Sequence, residues 1–174
     1  MVLRTPHALD SACSELRDLR ASAFYPGFGA YPPPMHFSMV DRVLERSDDA
    51  IVTLKHVSAA EEYLQDHFPT FPVLPGVMML ESMVQAGREL LDPGGGANPP
   101  IVLGRVRALK YGRFVKPGDS LRVSVQVSKR LEDGSVELKG EARVVSPEAA
   151  GGEDPAIACS GKLTMRAARV EMPA

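Results

Sequence analysis

Cysteine is nearly missing from these 174 residues: only Cys13 and Cys159 occur. Two such distant thiols offer neither metal-ligand spacing nor a disulfide framework, so a reducing compartment, the cytoplasm, is expected. An excess of either charge is missing too. The formal net charge is −2, which leaves no global basic field to recruit nucleic acid. The opening stretch, MVLRTPHALDSACSELRDL, has no apolar core of the secretory kind, and no export signal is expected. Nor does any apolar run reach the roughly 20 residues that a membrane-spanning helix needs, so no membrane partner is expected. Internal repeats are absent, and low complexity is confined to two Gly/Pro-rich loops. What remains is 44% hydrophobic, enough for one domain with a real core.

The stretch that organises the rest is HFPTFPVLPGVMMLESMVQAGRELL, residues 67–91. Pro69, Pro72 and Pro75 fix φ and hold the residues before them out of the helical region, which predicts a stiff, extended lead. After Gly76 the chain is apolar on nearly every face, through Met79, Leu80, Met83, Val84 and Leu90. A helix over about 76–91, some 22 Å long from Val77, follows. One apolar all round is buried, so the remaining chain must wrap it. DPGGG at 92–96 ends it.

Before that stretch, residues 9–23 carry Leu9, Cys13, Leu16 and Leu19 at helical spacing, and YPGFGAYPPPM (25–35) reads as a linker. FSMVDRVLE and AIVTLKHV predict a hairpin turning at 46–49. Residues 58–65 predict a helical turn or two, capped by Ser58 with Glu61 at the capping-box position. Past Ile101 the pattern is strands. Leu121, Val123, Val125 and Val127 alternate with polar residues, as do Val136, Leu138, Ala142 and Val144, and then Ile157, Cys159, Leu163 and Met165. Residues 101–115 supply one long strand, or two with a break. Five or six antiparallel strands and one dominant helix give an α+β fold: a curved sheet wrapped round the helix. A second copy would cover the helix surface or sheet edge left over.

His67 and Glu81, fourteen positions apart, are the candidate base and acid. A carboxyl in apolar surroundings holds its proton toward neutral pH, and an imidazole there can accept one. Equally open is a structural pair: Glu81 satisfied by Gln85 and Arg88 on its own helix, and His67 capping a backbone carbonyl. Between them in sequence, the N–H groups of Gly76 and Val77 at the helix start can polarise a carbonyl oxygen.

The block HFPTFPVLPGVMMLESMVQA resembles the signature of the 3-hydroxyacyl-[acyl carrier protein] dehydratases, GHFPGxPVxPGV followed by a helix bearing E-x-x-x-Q. The likeness continues in MVDRVLE (39–45) and in LKYGRFVKPGDSLRVSV (109–125), where the family has a KFRRPVxPGD-like segment. It covers roughly 37–165, so residues 1–35 are an N-terminal extension and 36–174 the dehydratase-like domain. The resemblance implies a hotdog fold acting as a homodimer, or a trimer of dimers, with shared active sites. It implies that His67 takes a proton and that Glu81, from the other subunit, gives one, with Gln85 holding that carboxylate and the Gly76 N–H receiving the thioester oxygen. The implied reaction is reversible dehydration of (3R)-3-hydroxyacyl thioesters to trans-2-enoyl thioesters in fatty acid biosynthesis, with no metal or organic cofactor.

Asp66 and Thr70 stand where the family has glycines, and PPPMHF replaces its PHRYPF-like lead, so substrate choice is where the chain departs. Lys110, Arg113 and Lys116 offer a basic dock for an acidic acyl carrier protein, or a solvated edge. The carrier could equally be CoA. Competing readings are a hotdog acyl-thioester hydrolase, a non-catalytic carrier-binding subunit and a double-bond isomerase.

Overall fold

The computed structural model describes residues 37–65, 67–68, 70–147 and 155–169. The helix expected at 9–23, the linker at 25–35, His36 and Asp66 lie outside the described residues. Strands β1 (Arg42–Arg46) and β2 (Ala50–His56) form the expected hairpin. Helix α1 spans Gly76–Leu91, and β3 (Ile101–Tyr111), β4 (Ser120–Arg130), β5 (Val136–Val145) and β6 (Ile157–Ala167) follow. They build one antiparallel sheet of six strands in the order β1-β2-β4-β5-β6-β3. The sheet curls round α1 in the α+β hotdog arrangement.

Alternation decides which face is which. Leu121, Val123 and Val125 of β4, Leu138 and Ala142 of β5, and Leu163 and Met165 of β6 are fully buried, facing Met83, Val84 and Ala86 of α1. The helix lies close on the sheet where side chains vanish. A Cβ built on Gly140 would stand 2.7 Å from Met83 Sδ, and one on Gly87 2.8 Å from Leu138 Cδ1. Strand β3 is a single long strand, bulged at Leu103/Arg105 and Arg107/Lys110. It forms one edge of the sheet, and most of its residues are exposed or half-buried.

The helical turns expected at 58–65 shrink to a single 3-10 turn, Glu62–Leu64. Ser58 Oγ does accept a hydrogen bond, from Ala60 N at 3.2 Å. Glu61, however, is drawn off to the Lys55 ammonium at 2.9 Å, and the turn has no side-chain cap. A buried cation outcompetes a local capping box, because leaving that cation unpaired costs more than leaving a cap unmade.

Candidate active site

The proline-punctuated lead is pinned by Leu74 N donating to Val115 O at 2.8 Å, which lays it beside the chain leaving β3. Phe68 adopts a left-handed conformation, φ +53°, and its carbonyl accepts from Phe71 N at 2.8 Å. This tight turn sets His67 back against Val73. His67 Nδ1 lies 3.0 Å from the Val73 carbonyl oxygen. A carbonyl only accepts, so Nδ1 carries the proton, and in the neutral ring Nε2 keeps a free lone pair.

His67 opens onto a cavity of about 230 Å³. Val73, Leu74, Met79 and Ala158 give it an apolar wall, while Phe68, Gly76, Tyr111, Gly112, Arg113 and Phe114 complete the lining. Helix α1 begins at Gly76, with no side-chain cap and no acid in its first turn, so no carboxylate of its own first turn competes for its first N–H groups. The Tyr111 ring lies directly on Gly76, where a Cβ would stand 2.9 Å from Tyr111 Cε1 and the ring would have to shift. The structure thus brings His67 and Gly76 to one cavity. Val77 is not among its lining residues, and its side chain is 67% exposed.

Glu81 is not among the lining residues either. It sits two residues beyond the cavity-facing Met79, a turn of about 200° round the helix axis, and so points away from its own protomer's cavity. Its Oε1 accepts from Gln85 Nε2 at 3.1 Å and faces Arg88 Nη1 at 3.6 Å. Gln85 is itself anchored: Nε2 also donates to Phe37 O at 3.0 Å, and Oε1 accepts from Met39 N at 2.8 Å. The basic trio separates as well. Arg113 lines the cavity, and the Lys116 ammonium lies 5.3 Å from the centre of the Phe71 ring. Lys110 pairs with Ser160 on the outer side of the sheet, opposite to the cavity-facing Tyr111. Among the described residues no group of His, Cys, Asp and Glu is arranged to hold a metal ion, and no helix is long and apolar enough to cross a membrane.

Phe68, Tyr111, Phe114 and Ala158 were not legible as cavity residues, because pattern marks only inward and outward faces. The signal that could have pointed to them is the Tyr111-Gly112 pair, a bulky ring beside a residue with none, at a strand end. Gly112 is held there by the backbone, for a Cβ would meet Ile157 O at 2.4 Å.

Among known proteins, the chain is 36% identical over 137 residues to the 3-hydroxyacyl-[acyl-carrier-protein] dehydratase FabZ of Lactococcus lactis subsp. cremoris, a match covering 78% of this chain and 88% of that protein. The chain belongs to the 3-hydroxyacyl-[acyl-carrier-protein] dehydratase family. The FabZ of Streptococcus equi subsp. zooepidemicus is 35% identical over 136 residues, covering 78% of this chain and 90% of the relative. A model of ApeI-like proteins, described as ApeI dehydratase, matches residues 43–148. Among solved structures, the dehydratase heterocomplex ApeI:P from Xenorhabdus doucetiae aligns with a TM-score of 0.52 at 16% identity, over 72% of this chain and 95% of that one. The smu.793 protein of Streptococcus mutans, bound to acetyl CoA, aligns at 0.56 and 11% identity, over 80% and 97%. At these identities the structural matches speak for the fold alone.

Proposed function

We propose that this protein is a hydro-lyase that reversibly dehydrates (3R)-3-hydroxyacyl thioesters on an acyl carrier protein to trans-2-enoyl thioesters, in fatty acid biosynthesis. The observation that carries the reading is the His67–Val73 hydrogen bond beside an uncapped helix start, both on one apolar cavity. It orients a neutral imidazole as a base next to backbone N–H groups free to take an oxygen. His67 Nε2 removes the C2 proton of the substrate. The Gly76 N–H stabilises the charge that gathers on the thioester oxygen, helped by the helix dipole. Glu81 protonates the C3 hydroxyl, which leaves as water.

Glu81 reaches that hydroxyl from a second copy of the chain. Its direction on α1 supports this, as does the long, poorly covered edge strand β3, which a second β3 would pair with. Gln85 and Arg88 hold the carboxylate in place, with Gln85 fixed by the backbone at 37 and 39. The working unit is a homodimer with shared sites; a trimer of dimers would need a second surface besides this two-fold contact. Arg113, which lines the cavity, and Lys116, over the neighbouring Phe71 ring, meet the acidic carrier protein, while Lys110 stands apart on the outer side of the sheet.

Purified protein mixed with crotonyl and 3-hydroxybutyryl thioesters tests the reading. Reversible loss and gain of enoyl absorbance is expected. Release of free thiol instead identifies a hydrolase, and no reaction a non-catalytic subunit.

A further inference from the structure

Exposed phenylalanine is costly, yet three of the chain's six phenylalanines crowd the mouth of the His67 cavity. Phe68 and Phe114 line it while remaining 59% and 60% exposed. Phe71, 47% exposed, packs edge-on against Phe114, with ring centres 6.2 Å apart and planes at 85°. Behind it the Lys116 ammonium sits over the Phe71 ring, so a cation–π contact holds the pair upright. Arg113 lines the same mouth. Phe114 also stands where the KFRRPVxPGD-like pattern has proline, so this ring is a feature of this chain.

We propose that Phe114, buttressed by Phe71, is a specificity-determining rim that packs against the outer pantetheine arm of the thioester. This rests on the thioester reading above. With the reacting carbon atoms held inside at His67 and Gly76, the part of a substrate still in the mouth is the arm beyond the sulfur. That arm carries a dimethyl-substituted carbon, which suits an aromatic face, and ends in a phosphate, which suits the cations Arg113 and Lys116. The rim reads the carrier arm and leaves the acyl chain to the deeper wall of Val73, Leu74 and Met79.

The test compares two 3-hydroxybutyryl thioesters, one on CoA with the whole arm and one on N-acetylcysteamine, which keeps only its innermost part. For Phe114→Ala the ratio of kcat/KM for the CoA thioester to that for the short one is expected to fall roughly three- to tenfold, through KM. Phe71→Ala should lower the ratio less, because it removes only the support. An unchanged ratio with an active wild-type protein overturns the rim while leaving the lyase standing. A fall in kcat shared by both thioesters overturns it too, as does a loss of dimer on size-exclusion chromatography, which would assign the ring to a subunit contact. A wild-type protein that turns over neither thioester overturns the parent reading, and the rim with it.

Discussion

Lys55 is the most constrained charge among the described residues. Its side chain is only 8% exposed, on the inner part of β2, and it bridges Asp41 at 3.2 Å and Glu61 at 2.9 Å. Burial pulls its pKa down, but hydrogen bonds and charge from Glu61 and Asp41 outweigh this and hold it above the usual lysine range. Lys55→Met strips Glu61 and Asp41 of their shared cation, leaving Asp41 only the His56 N–H at 2.7 Å, and should cost roughly 1–3 kcal/mol in a denaturant titration. Burial also pushes the Cys159 thiol up to about 11, from an ordinary 9.0. For such a raised group the stabilisation is complete below the unfolded value and is lost as pH rises through the folded one. Thermal stability should therefore decline from pH 9 to pH 11, and Lys55 extends the decline in the same direction. Cys159→Ala should flatten the first part of that fall by on the order of 2 kcal/mol, measured as Tm against pH. For the chemistry, His67→Ala and Glu81→Gln should each lower kcat at least about a hundredfold with little change in Tm. Full turnover in either folded variant sinks the lyase assignment.

At the scale of elements, the close approach of α1 to the sheet and of β3 to β6 decides which glycines are replaceable. Gly112 faces a backbone carbonyl at 2.4 Å that cannot move without breaking the Gly112–Ala158 and Arg113–Ile157 hydrogen bonds. Gly140 faces the Met83 side chain, its Sδ at 2.7 Å and its Cβ at 3.5 Å, and the flexible thioether end can give way where a backbone carbonyl cannot. Gly112→Ala should cost more than about 2 kcal/mol, whereas Gly140→Ala should cost about 1, as urea unfolding would resolve. The first also displaces Arg113 and Phe114, so it should lower activity as well. The limits of α1 were legible because proline and glycine punctuate both ends of a strongly apolar run. The loss of the Ser58-capped turn was not, because Glu61 answers to Lys55, six residues earlier in sequence and on another element. A local capping signal carries no information about a distant buried cation.

For the whole molecule, the decisive matter is that Glu81 turns away from the cavity that holds His67. If the site is shared between copies, His67→Ala and Glu81→Gln chains, each inactive alone, will complement each other. Random pairing makes half the dimers mixed, each with one intact site of two, so mixing after reversible dissociation should restore about a quarter of wild-type activity. No recovery, with mixed dimers demonstrated by tagged pull-down, would place both groups in one protomer and refute the shared site.

By itself the sequence determined the helix at 76–91, the antiparallel strands and the two chemically able side chains, because period, proline and burial are written locally along the chain. The family resemblance added the direction of transfer between them. Tertiary structure alone decided that Val73 fixes the tautomer of His67, that Tyr111 and Phe114 close round it, and that Lys55 lies buried between two carboxylates. The first of those relations is made by the turn at Phe68; the others join residues on separate strands and turns, which only the curl of the sheet round the helix brings within reach.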